Sequence, residues 1–168
     1  MTIPSAEPTL ARTLAALFYE ILLGCAVLLA FAAVLTPLKA LLPAGLLADW
    51  LFRLTLAALM FGYCGFCWTR GGQTLAMKTW RLRVERADGA ALSWLDSLRR
   101  FLVVLALFVG VPVLVWAGWS RALGEAAPLW LLPLWLAVPF ACRLFDPAKL
   151  SLHDRLAATR VVQLPKRV

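Results

Sequence analysis

Apolar residues run almost unbroken through four stretches of the chain, at about 14–36, 46–68, 101–119 and 126–144, and polar residues gather between them. Roughly 20 apolar residues cross the hydrocarbon core of a bilayer, so each stretch predicts a transmembrane helix. The second carries Arg53 near its start, whose alkyl stem must lie along the helix while the guanidinium snorkels to the interface. The third contains Pro112, and the fourth Pro133 and Pro139. Each proline removes a backbone hydrogen bond and predicts a kink, and carbonyls freed in this way can face a cavity or a cation.

Between the second and third stretches the period changes. Over 79–86, Trp80, Leu82 and Val84 alternate with Arg81, Arg83 and Glu85, the pattern of a half-buried strand. Asp88-Gly89 is a turn signal, and 90–92 is expected to return as a short second strand. Ser93 followed by Asp96 has the form of a capping box, so a helix is expected to start there and run into the third span. The tail repeats the devices: Ser151 and Asp154 open a short helix over 152–158, and the β-branched run 159–164 predicts a strand. Two lone strands leave backbone unpaired, which predicts that 79–86 and 159–164 meet in one small sheet. The expected fold is an all-α membrane protein, a single domain over 1–168, with four transmembrane helices and a small cytoplasmic β-hairpin and short-helix element drawn from the loop 69–100 and the tail 145–168.

Composition agrees with a membrane class. The chain is 62% hydrophobic and only 15% charged, with eight tryptophans in 168 residues. Of 17 basic residues, 13 fall in the 69–100 loop or at the end of the fourth span and beyond, as Arg70, Lys78, Arg81, Arg83, Arg86, Arg99 and Arg100, then Arg143, Lys149, Arg155, Arg160, Lys166 and Arg167. Lys and Arg collect on the cytoplasmic side, so both termini are expected there. This distribution also accounts for the net charge of +8 without nucleic acid as a partner. Trp50, Trp68, Trp119 and Trp130 lie near predicted span ends and read as interface anchors. The first stretch is too long for a signal-peptide core, carries a carboxylate and has only Arg12 as its positive flank, so it reads as a retained span.

That carboxylate is Glu20. An ionised group in hydrocarbon costs a few kcal/mol or more, which requires a partner or a water-filled path. Arg12, Ala16, Glu20 and Gly24 recur every fourth residue and form one stripe of the first helix, whose small residues predict that it faces the bundle. With the membrane boundary near Leu14, Glu20 lies about 9 Å deep at 1.5 Å per residue. Two readings stand side by side. Glu20 is a structural group, neutral or paired with a base such as Arg12 or Arg143, or it is a proton- or cation-responsive centre on a transport path.

Elsewhere the chemistry is sparse. Asp154 at the third position of a capped helix suits the helix dipole, and His153, the only histidine, adjoins it as a surface residue able to titrate. Arg143 at the end of the fourth span reads as a snorkelling anchor. Cys25, Cys64, Cys67 and Cys142 all fall in predicted spans and read as apolar packing, with a redox pair at Cys64 and Cys67 as the alternative. They complete no metal site, and the segment 69–79 lacks the second glycine that a phosphate-binding loop carries directly before its lysine and hydroxyl residue. No nucleophile, base and orienting group converge, so neither an enzyme nor a cofactor is expected.

The segment from Gly71 to Val84, followed by Asp88-Gly89, resembles the central signature of the RDD family of membrane proteins, and 152–162 is similar to their closing signature. The family is named for an arginine at the start of the first helix and two aspartates. The resemblance places these on Arg12, Glu20 and Asp154, with the first aspartate replaced by glutamate, one methylene longer. It implies a helical bundle in the bacterial inner membrane that transports ions or small ligands. The reading is therefore a multi-pass membrane protein that moves or exchanges an ion or small solute, as a homo-oligomer because four spans enclose little volume. The alternative is a non-transporting adaptor that binds a protein or anionic lipid through its cytoplasmic loop and tail.

Overall fold

The computed structural model describes residues 8–124, 128, 131–146 and 150–165. Thr9 caps the first helix, α1 (Leu10–Ala40), its hydroxyl accepting from the Arg12 N–H. α2 (Leu46–Gly71) ends on Gly72 in the left-handed conformation at φ 66°, a geometry that glycine adopts without a Cβ penalty. Between them the turn is tied by Lys39, whose ammonium is 2.6 Å from Asp49 and sits over the Phe52 ring. Arg53, two turns into α2, lies over Trp50. After Gly72 come the short α3 (Leu75–Trp80) and the strand β1 (Leu82–Arg86).

The capping box of Ser93 and Asp96 forms in both directions and opens α4 (Trp94–Leu105). α4 passes through one π-helical turn, Ala106–Gly110, into α5 (Val111–Leu123). α6 (Leu131–Phe145), α7 (Leu152–Leu156) and the strand β2 (Thr159–Gln163) complete the order.

Among the described residues, three helical stretches, Ala11–Ala40, Leu46–Trp80 and Trp94–Leu123, are long and apolar enough to cross a membrane. Their outer faces are bare hydrocarbon: Leu29 is 71% and Val34 73% exposed, which is the expected state of side chains that lipid covers. The described α6 has 15 residues, about 22 Å of helix against a hydrocarbon core of about 30 Å. Residues 126, 127, 129 and 130 of the expected fourth span, including Trp130, lie outside the described residues, as do Lys149, Lys166 and Arg167.

The expected disturbance at Pro112 takes a specific form. Proline has no N–H to give, and the helix widens just before it, so that the Val111 N–H bonds the Ala106 carbonyl five residues back. The Leu107 carbonyl thereby loses its α-helical donor, Val111, and its π-helical donor would be Pro112. The Trp135 indole N–H, from α6, takes its place at 2.7 Å. The freed carbonyl is satisfied by protein. Pro139 is buried inside α6.

The chain forms two compact units, one of residues up to Val84 together with those from Val162, the other of Glu85–Val161. In the first unit α1 packs on α2 and α3; in the second, α4 and α6 pack on α7. The strands pair as β1-β2. Leu164 N–H bonds Arg81 O and Ala87 N–H bonds Ala158 O, so numbers rise along one strand as they fall along the other and the pair is antiparallel. Leu82 and Val84 are each 1% exposed, and burying two such side chains contributes on the order of 2 kcal/mol apiece.

Two details of the expected sheet are corrected. Thr79 and Trp80 are helical, because the Thr74 hydroxyl accepts from the Met77 N–H and starts α3; the strand begins at Leu82, after Arg81 turns left-handed at φ 55°. The hairpin return strand at 90–92 is absent. The Asp88 carboxylate takes the Ala90 N–H, the Arg86 N–H bonds Ala90 O, and only two residues then remain before Ser93 caps α4. β1 pairs with the tail instead. In the tail, the helix stops at Leu156 rather than Ala158, since Ala158 is left-handed at φ 54° and launches β2.

Candidate functional site

The Ala16, Glu20 and Gly24 stripe of α1 faces protein, as its small residues predict. Ala16 is buried, and a Cβ at Gly24 would stand 3.3 Å from Met60 of α2. On this stripe the Glu20 carboxylate accepts a hydrogen bond of 2.7 Å from the Thr74 hydroxyl. Thr74 is wholly buried and uses its oxygen twice, donating to Glu20 and accepting from the Met77 N–H at 3.2 Å. Tyr63 and Cys67 of α2 lie close enough to feel the Glu20 charge. Tyr19 meets Trp80 edge to face, a second tie between α1 and α3.

Arg12 is two turns from Glu20, about 12 Å along the axis. Its N–H is held by Thr9, and among the described residues its guanidinium forms no ion pair. The structure thus brings Glu20 to Thr74 and does not join it to Arg12. Thr74 was legible only as part of the glycine-flanked loop; a hydroxyl 54 residues away leaves no spacing signal.

Asp154 belongs to the other unit. Arg100 Nη1 donates to its Oδ1 at 2.6 Å, and the same Nη1 makes a short bond to Thr159 Oγ1. One guanidinium thereby ties α4 to α7 and to the first residue of β2. Burial works to raise the Asp154 pKa, but the Arg100 guanidinium, the neighbouring His153 and a hydrogen bond from Ser151 together hold it below the usual carboxylate value. The Ser151 side chain makes no capping bond to the helix backbone, which corrects the expected capping role of this Ser-x-x-Asp pair.

His153 is not a surface residue. It is 8% exposed, with its ring edge to face against both Phe108 and Phe140 at centroid distances of 5.7 and 5.5 Å. Burial pushes its pKa down to about 4; the charge on Asp154 opposes the shift and that on Arg100 reinforces it. Its Nε2 is 3.7 Å from Asp154 Oδ1. Phe108 belongs to the π-helical turn, so the widening of the helix presents a ring to the histidine.

Arg143 is also buried rather than snorkelling, and Trp68 is buried rather than an interface anchor, while Trp50 is half exposed. The four cysteines are free thiols, and among the described residues no group of His, Cys, Asp and Glu could hold a metal ion. Arg100 was visible in the sequence only as one more base in a basic loop. Its position three residues after the buried Ser97, on the inner face of α4, is the signal that separates it from the exposed Arg99.

The model of the RDD family matches residues 7–158, nearly the whole chain. No curated protein and no solved structure matches it.

Proposed function

From a chain that belongs to the RDD family and carries three membrane-crossing helices, we propose a four-span protein of the bacterial inner membrane that transports or exchanges an ion or small solute. The fourth span contains α6. Both termini, the 69–100 loop and the tail are cytoplasmic, on the distribution of 13 of 17 basic residues. The role is non-enzymatic. Four spans enclose little volume, so the working form is a homo-oligomer.

The observation that carries this reading is the bond from Thr74 to Glu20 within the first span. The hydroxyl fixes the position of a carboxylate inside a span, where an ionised group is costly, and such a held carboxylate suits a proton- or cation-responsive centre. Arg12 lies at the mouth of the same helix, where its charge acts at a distance and not through contact.

The adaptor reading draws on the β1-β2 sheet, which the buried Arg100 and Asp154 pair and the Glu85 and Arg160 pair at 2.7 Å hold as a defined surface. Protein in liposomes with an internal pH dye tests the two. Cation-dependent proton movement that Glu20→Gln abolishes is expected; equal traces for the two proteins would remove Glu20 from the mechanism. Activity that survives Glu20→Gln, together with loss of a co-purifying protein when Leu82–Arg86 is disrupted, would favour the adaptor.

A further inference from the structure

Gly72, Gln73 and Thr74 are consecutive, and each spends a polar group in a different direction. The Thr74 hydroxyl donates to Glu20 at 2.7 Å, Gln73 Nε2 donates to the Leu82 carbonyl at 2.7 Å, and the Gly72 carbonyl accepts from the Val84 N–H at 2.7 Å. Three adjacent residues therefore join the membrane carboxylate to the backbone of β1. The join has no slack. Thr74 is fully buried, Leu82 and Val84 are 1% exposed, and a Cβ at Gly72 would fall 2.6 Å from Val84 O. Close-packed groups of this kind pass displacement on instead of absorbing it.

The hydroxyl of Thr74 has a single proton. While Glu20 is charged, that proton points to the carboxylate in a charge-assisted bond, and the oxygen lone pairs face the Met77 N–H that starts α3. A protonated Glu20 is itself a donor. It adds a second donor beside the Met77 N–H at the Thr74 oxygen and replaces a charged acceptor with a neutral one, roughly halving the bond.

We propose that Gly72-Gln73-Thr74 is a relay that makes the order of α3 and β1 depend on the charge state of Glu20. The relay rests on Glu20 being the titrating centre of the reading above, but not on transport itself. Near Glu20 lie Tyr63 and Cys67 from α2 and, bonded to it, Thr74 at the start of α3; Lys78 of α3 acts on Cys67, and Arg12 lies two turns back on the same helix. Loss of the Glu20 charge loosens the cap on α3 and, through Gln73 and Gly72, the strand edge. An event in the membrane is thus reported at the sheet.

Hydrogen exchange of the full chain in lipid nanodiscs tests this, read by mass spectrometry on peptides covering 75–84, with 94–105 as the reference. Glu20→Gln keeps the size and an acceptor oxygen but removes the charge. It is expected to speed exchange of 75–84 roughly fivefold, the gap between a charged and a neutral hydrogen bond. Thr74→Val should do the same, the double variant should be no faster than the faster single one, and 94–105 should not change. Gln73→Leu should leave α3 responsive to Glu20 and make β1 fast and unresponsive. In the wild type, lowering the pH should bring 75–84 to the Glu20→Gln level once intrinsic exchange chemistry is divided out. The relay is overturned if Thr74→Val speeds 75–84 while Glu20→Gln does not, or if Glu20→Gln speeds 94–105 equally. Glu20-dependent exchange without flux in liposomes would remove transport and keep the relay; flux lost in Glu20→Gln with unchanged exchange would remove the relay alone.

Discussion

Asp154 Oδ1 lies 2.6 Å from Arg100 Nη1, and the two side chains are only 5% and 4% exposed. Two charges so far from water hold each other in place, and removing one leaves the other uncompensated. Asp154→Asn is therefore expected to destabilise the second unit by about 3–5 kcal/mol. Arg100→Met combined with Asp154→Leu is expected to cost less than either single change, since neither charge is left behind. Denaturant unfolding in mild detergent, followed by near-UV circular dichroism, would rank the three. A double variant less stable than Asp154→Asn would mean that the pair contributes more than mutual compensation.

His153 predicts how stability responds to acid. Its pKa is near 4 in the folded protein and near 6.5 unfolded, so between these values the unfolded chain binds the extra proton. Stability is then fully present above about pH 6.5 and is lost as the pH falls toward 4, by about 3 kcal/mol at 1.36 kcal/mol per pH unit. Asp154 adds a loss of the same sign at lower pH, where its depressed carboxylate is finally protonated. His153→Phe, which offers a ring of similar size to Phe108 and Phe140, should flatten the thermal midpoint between pH 6.5 and 4. A wild-type midpoint independent of pH across that window would contradict a buried neutral histidine.

The contrast between these residues and Glu20 shows what the chain discloses by itself. Long apolar runs and a reciprocal Ser93 and Asp96 cap act within a few residues, so α1, α2 and the start of α4 are readable from local pattern. The meeting of 79–86 with the tail was readable too, because lone strands demand partners. The identities of the partners were not. Thr74 with Glu20 and Arg100 with Asp154 are contacts across 54 residues, settled by how helices pack and not by any spacing. His153 looked exposed because the charged Asp154 and Arg155 follow it; the rings that bury it come from Phe108 and Phe140.

Two backbone positions should respond to substitution in opposite directions. Ala158 is exposed and left-handed at φ 54°, a conformation that costs an L-residue about 1–2 kcal/mol. Ala158→Gly is expected to stabilise the protein by about 1 kcal/mol, the strain relief less the added freedom of the unfolded chain. Gly72→Ala should destabilise by more than about 1 kcal/mol, because strain at φ 66° is joined by a clash with Val84 O. Gly71→Ala, with open space around its Cβ position, is the control and should be neutral or mildly stabilising. Thermal unfolding of the three variants in one detergent decides the order.

The π-helical turn makes the last prediction, which depends on two residues in different helices. Trp135→Phe removes the only donor that α6 offers to the Leu107 carbonyl among the described residues, leaving a part-buried acceptor unpaired at a cost of about 1 kcal/mol or more. Pro112→Ala supplies the N–H that proline withholds and lets the helix close its own ladder. On the wild type that change should gain little, since Trp135 already satisfies the carbonyl. On Trp135→Phe it should restore most of the lost stability. The double-mutant cycle therefore has a coupling energy of about 1 kcal/mol or more in the direction of rescue. Additive effects of the two substitutions would show that proline and tryptophan are independent, and that the widened turn has a cause other than the missing N–H at residue 112.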